Sequence, residues 1–476
     1  MTLLHPNPAP TYVNEPDAEA LIKEARRLRR RRWMIGSVAT VLAATLAGVL
    51  YGVNSHTSPP PATTLTSANR PLVNAKAFSH EGELAFVSRN ALWVLDGANG
   101  SLREVTANYA IEPVFSPNGK WLAYVTTGPP ALYGNQVKAA PNQLWIAHAN
   151  GTDAHAVRGL VYASGLSWSP TTETLAVIEG TVGSAKSVIS LVTPGGSTRQ
   201  LPGTSEVSNF VWSPNGKEIA FSGEYQDGAL EAVSVSGGSP VVWQPEHNNP
   251  AYPKSFNPTI PAAWLPDGEG IVYWIDQDNS ASLEADGLPL YLVTDPNGPA
   301  HLLGTTLVNA ASIATSPDGS LAIASGGDRY QWSTKAVERC SIATATCTKV
   351  PIPSSDISFD PSWSPDGSQL VYVVGPSNQS TIGQSAVAKW YSELSLWTVK
   401  KDSDTPTELR GTRGGTVASW SPNGKSFLFE ANDALWLRPT PSSSPVEIAS
   451  PLFPENDWPS YYAEVNWNDQ FSWSPR

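Results

Sequence analysis

The stretch VFSPNGKWLAYV, residues 114–125, decides the fold because its pattern recurs along the chain. An apolar run ends in an aromatic residue, a Ser-Pro-Asn-Gly turn follows, and a second apolar run begins. Proline fixes φ at the second turn position, asparagine tolerates the third, and glycine adopts the positive φ of the fourth. Because the flanking runs are rich in β-branched and aromatic residues, the stretch predicts two buried strands joined by a tight turn.

Seven further copies keep this order of strand, turn and strand, and the turns of successive copies lie 37 to 57 residues apart. A ninth fragment, FSWSPR, occupies residues 471–476. Such a period is typical of radial β-repeats and not of helical solenoids. The further copies are AFSHEGELAFV (77–87), LSWSPTTETLAVI (166–178), FVWSPNGKEIAF (210–221), AAWLPDGEGIVYW (262–274), IATSPDGSLAIAS (313–325), PSWSPDGSQLVYVV (361–374) and ASWSPNGKSFLFE (418–430).

A third and a fourth strand complete each repeat. The third follows the second apolar run, as in ALWVLD (91–96) and QLWIAH (143–148), and a glycine turn such as Gly195-Gly196 leads to a short fourth strand. Four antiparallel strands in about 50 residues make one propeller blade. The sequence therefore predicts an all-β, eight-bladed β-propeller over residues 71–476, with seven blades as the alternative if one copy pairs irregularly.

The Ser-Pro-Asp/Asn-Gly phrase resembles the WD40-like repeat of TolB-type β-propellers. The resemblance covers residues 71–476, and it implies an exported or periplasmic propeller. TolB itself has fewer blades and a separate N-terminal domain, so a role in a Tol-type envelope system is not implied. Neither Gly-His nor Trp-Asp occurs in the chain, so the WD40 family proper is a poor match.

The N-terminal segment is organised differently. Residues 1–32 form a basic tail that ends in a cluster of arginines, and residues 33–53 carry no charge. A helix of this length spans a bilayer, and the flanking arginines place the tail in the cytoplasm. We expect a signal anchor at 33–53, a Ser/Thr/Pro-rich tether at 54–70 and an extracytoplasmic propeller, with a cleaved signal peptide as the alternative.

Composition excludes several classes of protein. The chain has 42 acidic and 30 basic residues, a net charge of −12, which disfavours nucleic-acid binding. Its 18 Trp and 15 Tyr disfavour a disordered chain. With only two cysteines, Cys340 and Cys347, it lacks a disulfide framework. The two cysteines flank the turn between the third and fourth strands of the sixth repeat, so we expect a disulfide across this hairpin.

No catalytic, metal-binding or cofactor-binding motif is recognisable. The seven histidines are scattered, and neither a Gly-x-Ser-x-Gly elbow nor a phosphate-binding Gly-x-x-x-x-Gly-Lys-Ser/Thr loop occurs. An acidic stretch could attract a hard cation, but its spacing is not that of an EF-hand, so a solvated loop is the preferred interpretation. The stretch contains Asp276, Asp278, Glu284 and Asp286.

The tryptophans that precede the turns recur once per repeat, which indicates packing between neighbouring blades rather than ligand binding. They are Trp168, Trp212, Trp264, Trp363, Trp420 and Trp473.

Long insertions indicate where a partner would bind. Strand alternation places the links between strands two and three, and those from blade to blade, at one end of a propeller. All long insertions belong to this class: 128–142, 244–261, 277–287, 375–392 and 451–464. Because loops on a rigid scaffold often carry binding residues, their aromatic and histidine side chains are the candidates. The candidates are Tyr133, His247, Tyr252, Phe256, Trp390, Tyr391, Trp458, Tyr461 and Tyr462.

Two functions remain open after this reading. One is a membrane-tethered, non-catalytic module that binds an envelope or extracellular protein or peptide. The alternative is an extracytoplasmic propeller enzyme, a hydrolase or lyase, whose residues gather from several blades around the central channel. The candidate aromatics themselves could also simply pack onto the rim.

Overall fold

A computed structural model describes residues 70–474 with gaps at 128–130, 134–135, 139–141, 161–162, 181–186, 224–227, 246, 249–255, 277–285, 379–383, 441 and 454–469. The predicted tail, anchor and nearly all of the tether lie outside the described residues. Within them, the secondary structure is almost entirely β. The exceptions are one α-helix, α1 (Gln384–Tyr391), and short helical turns such as the 3-10 turn Ala310–Ser312.

The strands form antiparallel units of four, as the blades of a propeller do. In units 2 to 8 the sequential strands are neighbours, and the turn of the repeated phrase joins the first strand to the second. Units 5 and 6 are joined by a single bridge between Thr306 and Ser325. The described strands, in order within each unit, are: unit 1, Phe471–Ser474, Glu83–Ser88, Ala91–Asp96 and Leu102–Thr106; unit 2, Ala110–Phe115, Trp121–Thr126, Gln143–His148 and His155–Ala156; unit 3, Ala163–Trp168, Leu175–Gly180, Ser187–Val192 and Thr198–Gln200; unit 4, Val207–Trp212, Glu218–Gly223, Leu230–Ser234 and Val241–Gln244; unit 5, Thr259–Trp264, Ile271–Ile275, Leu288–Val293 and His301–Thr306; unit 6, Ile313–Thr315, Leu321–Ser325, Ala336–Ser341 and Thr346–Lys349; unit 7, Asp356–Trp363, Gln369–Pro376, Ser395–Lys400 and Thr407–Glu408; unit 8, Gly415–Trp420, Phe427–Ala431, Ala434–Arg438 and Val446–Ser450.

Unit 1 is assembled from both ends of the described chain. Its first strand is Phe471–Ser474, which pairs with Glu83–Ser88, so that Phe86 lies opposite Phe471. The fragment FSWSPR therefore supplies the strand that the first sequence copy lacks. At the other end, Leu72–Val73 adds a fifth strand to the outer edge of unit 8, where Leu72 lies opposite Ser450.

The predicted turn geometry is confirmed. Glycine occupies the left-handed region in each Pro-Asx-Gly turn, with φ between 67° at Gly119 and 84° at Gly319. The turn serine is buried, and its hydroxyl organises the turn from inside. In unit 2, Ser116 Oγ donates to Asn118 Oδ1 at 2.7 Å and accepts from Trp121 N at 3.0 Å. The repeated serine is thus a structural residue, since it satisfies backbone donors that the turn would otherwise leave unpaired.

The second strand of each unit is buried on both faces, because apolar clusters shared with neighbouring units cover both sides of it. On strand Glu83–Ser88, Leu84 and Phe86 pack in a cluster with unit 8, whereas Ala85 and Val87 pack in a cluster with unit 2. Alternate residues point to opposite faces of a sheet, which explains why the second strands read as continuous apolar runs.

The tryptophans before the turns hold neighbouring units together, as the sequence indicated. Each described indole N–H of this type in units 3, 4, 5 and 8 donates to a first-strand carbonyl of the preceding unit. Trp168 Nε1 donates to Val114 O at 3.1 Å, and Trp212 Nε1 donates to Ser167 O at 3.0 Å. The bonds of Trp264 to Val211 O and of Trp420 to Ser362 O repeat this arrangement.

Cys340 and Cys347 form the expected disulfide, with an S–S distance of 2.03 Å. They lie directly opposite each other on the third and fourth strands of unit 6. The bridge closes a short hairpin loop, so the chain-entropy model attributes about 2–3 kcal/mol of stabilisation to it.

The tryptophan bond between units can be tested with a pair of matched substitutions. Trp168 and Trp363 are similarly buried, at 6% and 7% exposed, but the indole N–H of Trp363 has no acceptor among the described residues. Trp168→Phe removes a hydrogen bond as well as volume, whereas Trp363→Phe removes volume alone. We expect Trp168→Phe to lower the free energy of unfolding by about 1 kcal/mol more than Trp363→Phe. Equal losses in urea unfolding would show that the bond contributes nothing.

Candidate binding site

The end of the units that carries the long links, here called the long-loop end, holds those predicted binding residues that the structure describes. Tyr133 ends the first strand of a small hairpin, Ala131–Tyr133 with Gln136–Lys138. In a second small ladder, His247 lies opposite Asn257 and Phe256 lies opposite Asn248. Four of the candidates lie outside the described residues: Tyr252, Trp458, Tyr461 and Tyr462.

Trp390 and Tyr391 are buried, which corrects the expectation that they are exposed anchors. They end helix α1 and are 5% and 6% exposed. The Trp390 ring lies 5.9 Å from that of Phe359, and its Nε1 donates to Pro376 O at 2.9 Å. An amphipathic link between strands buries its large side chains when an apolar surface is available nearby. These two residues therefore support the overlying surface and do not form part of it.

The surface that covers them comes from a loop that sequence reasoning passed over. Trp332 is fully buried, its ring 6.1 Å from that of Trp390 and 5.0 Å from that of Tyr330. It lies in the link between the second and third strands of unit 6. The sequence does distinguish Trp332 from the other tryptophans, because it neither precedes a turn phrase nor lies on a third strand. An aromatic residue outside the repeat register indicates a contact that the repeat does not supply.

A buried ammonium group holds this loop in its conformation. Lys335 is 3% exposed, and its Nζ donates to four backbone carbonyls at 2.8–3.0 Å. A buried cation is tolerated only where hydrogen bonds replace its hydration. The loop carbonyls thus converge on Lys335 and fix the backbone that carries Trp332. The four acceptors belong to Gly327, Asp328, Tyr330 and Ser333.

The same loop is tied to the neighbouring unit by an ion pair. Arg329 donates from Nε to Asp286 Oδ1 at 2.5 Å and from Nη2 to Asp286 Oδ2 at 2.6 Å. Such a two-point pair fixes geometry as well as charge. Asp286 belongs to the acidic stretch, so this carboxylate is engaged by a guanidinium. Asp278 and Glu284 lie outside the described residues, and Asp276 is buried.

Further bonds extend the loops into one surface. Asn378 N donates to Trp332 O at 2.8 Å, and Gly414 N donates to Leu394 O at 2.7 Å. Arg413 Nε donates to Ser392 O at 3.0 Å. We call this surface the linked rim, defined as residue 286 with 326–335, 376–378, 384–394 and 412–414. It runs across units 5 to 8.

A buried carboxyl lies where unit 8 meets unit 1 at the same end. Glu430 is 0% exposed, accepts from Thr416 Oγ1 at 2.9 Å and accepts from Asp433 N at 3.0 Å. Burial raises the pKa of Glu430 to about 8, and the Thr416 bond opposes this only in part. The group is therefore protonated in the folded protein at neutral pH.

Asp433 joins this hairpin to the link between the two units. Its Oδ1 accepts from Leu452 N and from Phe453 N, both at 2.8 Å. Burial raises its pKa as well. On the unit 1 side, Ser88 Oγ donates to Pro451 O at 2.6 Å. The junction is thus held by polar contacts in addition to its apolar cluster.

The described residues contain neither a cluster of metal ligands nor a helix that could span a bilayer. No group of three or more His, Cys, Asp or Glu side chains among them could hold a metal ion. None of their helices is both long and apolar enough to cross a bilayer. The predicted anchor at 33–53 is not among these residues.

Trp390→Ala should destabilise the protein rather than leave it intact. Removing a buried tryptophan of this kind costs about 3–5 kcal/mol, measured as a loss in the free energy of unfolding. The control is Lys389→Ala on the same helix, whose ion pair with Glu393 is exposed, so its effect should stay within about 0.5 kcal/mol. A Trp390→Ala protein as stable as the control would contradict the burial described.

Glu430→Gln should change how stability depends on pH. The unfolded chain loses this proton above the ordinary pKa of 4.5, whereas the folded protein keeps it up to about 8. Folding stability therefore falls as pH rises through this window, with a limiting slope of about 1.4 kcal/mol per unit. The amide cannot ionise, so Glu430→Gln should gain stability relative to wild type from pH 5 to pH 9. The control is Glu408→Gln at an exposed site, whose free energy of unfolding, measured with denaturant, should depend on pH as that of wild type does. The same pH dependence in Glu430→Gln would refute the raised pKa of Glu430.

Comparisons with known proteins find structural matches but no sequence family. Neither a protein-family model nor a curated protein matches the sequence. Among solved structures, the tricorn protease matches with 11% identity and a TM-score of 0.43, over 77% of this chain and 38% of that one. The β-propeller domain of the Trilobed protease from Pyrococcus furiosus matches with 10% identity and a TM-score of 0.41, over 73% and 99%. A putative TolB from Agrobacterium tumefaciens matches with 15% identity and a TM-score of 0.33, over 72% and 95%. The structural matches are thus to β-propeller domains, and at this identity the likeness is one of fold alone.

Proposed function

We propose that the chain is a membrane-tethered, extracytoplasmic propeller of eight blades that acts as a non-catalytic binding module for an envelope or extracellular protein or peptide. The observation that carries the binding role is the linked rim. Its loops are fixed by a buried lysine, a two-point ion pair and an aromatic cluster. A preorganised surface loses less conformational entropy on binding than a flexible one, which favours recognition.

The blade number is supported by the apolar clusters between units. Seven of the eight clusters combine side chains of two neighbouring units, and one of these joins unit 8 to unit 1. In that cluster, Leu428 and Leu437 pack with Leu84 and Phe86. The cluster that joins units 7 and 8 also includes Ala324 and Trp332 of unit 6. A ring of eight units in which the chain ends share one sheet accounts for all of these clusters. The remaining clusters join units 1–2, 2–3, 3–4, 4–5, 5–6, 6–7 and 7–8.

The membrane tether is supported by the sequence, and the position of Leu72 indicates the end of the propeller from which the tether would leave. The arginine cluster and the uncharged run 33–53 favour an anchor. Arg70 precedes the strand whose Leu72 lies opposite Ser450, at the long-loop end of unit 8. The tether would leave the propeller at the end that carries the linked rim. We therefore propose a partner held near the same membrane.

Site-specific photo-cross-linking in intact cells tests this proposal. A photoreactive residue replaces Lys389 or Arg413, both exposed on the linked rim, or Lys217 or Lys425, exposed at the opposite end. We expect a cross-linked species of discrete mass from the two rim positions and not from the two controls. Protease added to the intact cells should digest that species, because the propeller lies outside. Cross-links from the control positions alone, no cross-link at all, or a protected species would each overturn the proposal.

A further inference from the structure

A cleft lies between units 3 and 4 at the short-turn end, opposite the linked rim. Its volume is about 300 Å³, at the lower end of the roughly 300–1,000 Å³ of small-molecule sites. The residues that line it include four threonines, Arg199 and Trp212, together with Leu191 and Val235. We infer that this cleft binds one monosaccharide-sized, hydroxyl-rich ligand that carries a carboxylate, such as a hexuronic acid residue. The inference concerns a different surface and does not depend on the proposed function.

Trp212 supplies a fixed flat wall. The side chain is half-buried, and its Nε1 donates to Ser167 O at 3.0 Å, so the indole is held by the bond between units. A ring with its N–H already engaged presents an apolar aromatic surface to the cleft. The apolar face of a pyranose ring is complementary to such a surface, whereas an extended acyl chain needs a longer groove.

The threonine hydroxyls supply adaptable hydrogen bonds. Thr172 and Thr174 come from the turn of unit 3, Thr193 comes from the turn between its third and fourth strands, and Thr198 begins the fourth strand. A hydroxyl both donates and accepts, so several of them around one cleft suit a ligand that is itself rich in hydroxyl groups. An apolar ligand would leave these groups without partners.

Arg199 gives the cleft its charge. Its Nη2 donates to Val235 O at 2.7 Å, which anchors the guanidinium on unit 4 and leaves other N–H groups of its fork for a ligand. None of the residues that line the cleft is acidic. Nearby Glu173 is turned toward unit 2, where it accepts from Lys120 Nζ at 3.0 Å and from Trp121 Nε1 at 3.2 Å. A planar guanidinium favours a carboxylate, which it binds with two parallel bonds.

Unit 1 provides a matched arginine for the test. Arg103 lies opposite Val94 on its fourth strand, as Arg199 lies opposite Leu191 in unit 3. The methylene groups of Arg103 lie against Gly151 of unit 2, where an added Cβ would be 3.1 Å from Arg103 Cδ. Arg103 thus covers the corresponding position, and Arg103→Gln is a control for the loss of one surface guanidinium.

Calorimetric titration of the full-length protein in detergent with glucuronate tests the inference. We expect millimolar binding, weakened at least tenfold by Arg199→Gln and unchanged by Arg103→Gln. Arg199→Lys, which keeps the charge but loses the fork, should lie between wild type and Arg199→Gln. Thr198→Val should weaken binding several-fold, and thermal unfolding confirms that each variant is folded.

Three ligand comparisons decide the chemistry. In the wild-type protein, glucose should bind more weakly than glucuronate, because only the carboxylate contacts the guanidinium. In Arg199→Gln, glucose and glucuronate should bind with equal affinity. Acetate bound as tightly as glucuronate would show that the cleft recognises charge alone and would overturn the inference. Glucose 6-phosphate bound more tightly than glucuronate would overturn the carboxylate assignment. Absence of glucuronate binding, or equal effects of Arg199→Gln and Arg103→Gln, would overturn the site.

Discussion

The contact between neighbouring sheets is the constraint on which the rest of the structure depends. Each four-stranded unit is buried on both faces, so none can bury its apolar side chains alone. The tryptophan before the turn adds a directional hydrogen bond to this packing in several units. In unit 3, for example, the indole N–H of Trp168 donates to Val114 O of the preceding unit. A sheet that lost its neighbour would expose a full apolar face and an unpaired carbonyl at once. Stability is therefore shared between neighbouring units and is not a property of single repeats.

The assembly of unit 1 from two distant segments of the chain follows from the same constraint. A first and a last unit with free faces would be the weakest part of such an array. Pairing Phe471–Ser474 with Glu83–Ser88 makes one unit from the two ends, and the contacts of Asp433 and Ser88 add polar bonds beside it. This arrangement buries the carboxyl group of Glu430, and burial raises its pKa to about 8.

The two ends of the units differ because their links differ. At the short-turn end the links are uniformly short, and the cleft beside Trp212 is lined by threonines and Arg199. At the long-loop end, the links are long enough to contact one another, and they build the linked rim. A scaffold of identical units thus presents one uniform and one irregular surface, and the two suit ligands of different size.

The sequence alone determined the local structure of this protein. Serine, proline, Asx and glycine at fixed spacing specify a turn through backbone preferences that need no partner, and the short apolar runs on either side of the turn identify the flanking strands. The pairing of Cys340 with Cys347 was equally local, because a hairpin brings them together. For the candidate site, the sequence located the end of the scaffold with the long links but not the orientation of their side chains. Trp390 and Tyr391 turned inward because Trp332, 58 residues before Trp390, offers them an apolar surface that only the packing of separate units creates. The pairing of Arg329 with Asp286 and the joining of Phe471–Ser474 to Glu83–Ser88 were likewise decided by tertiary structure, since each joins segments that are far apart in the sequence.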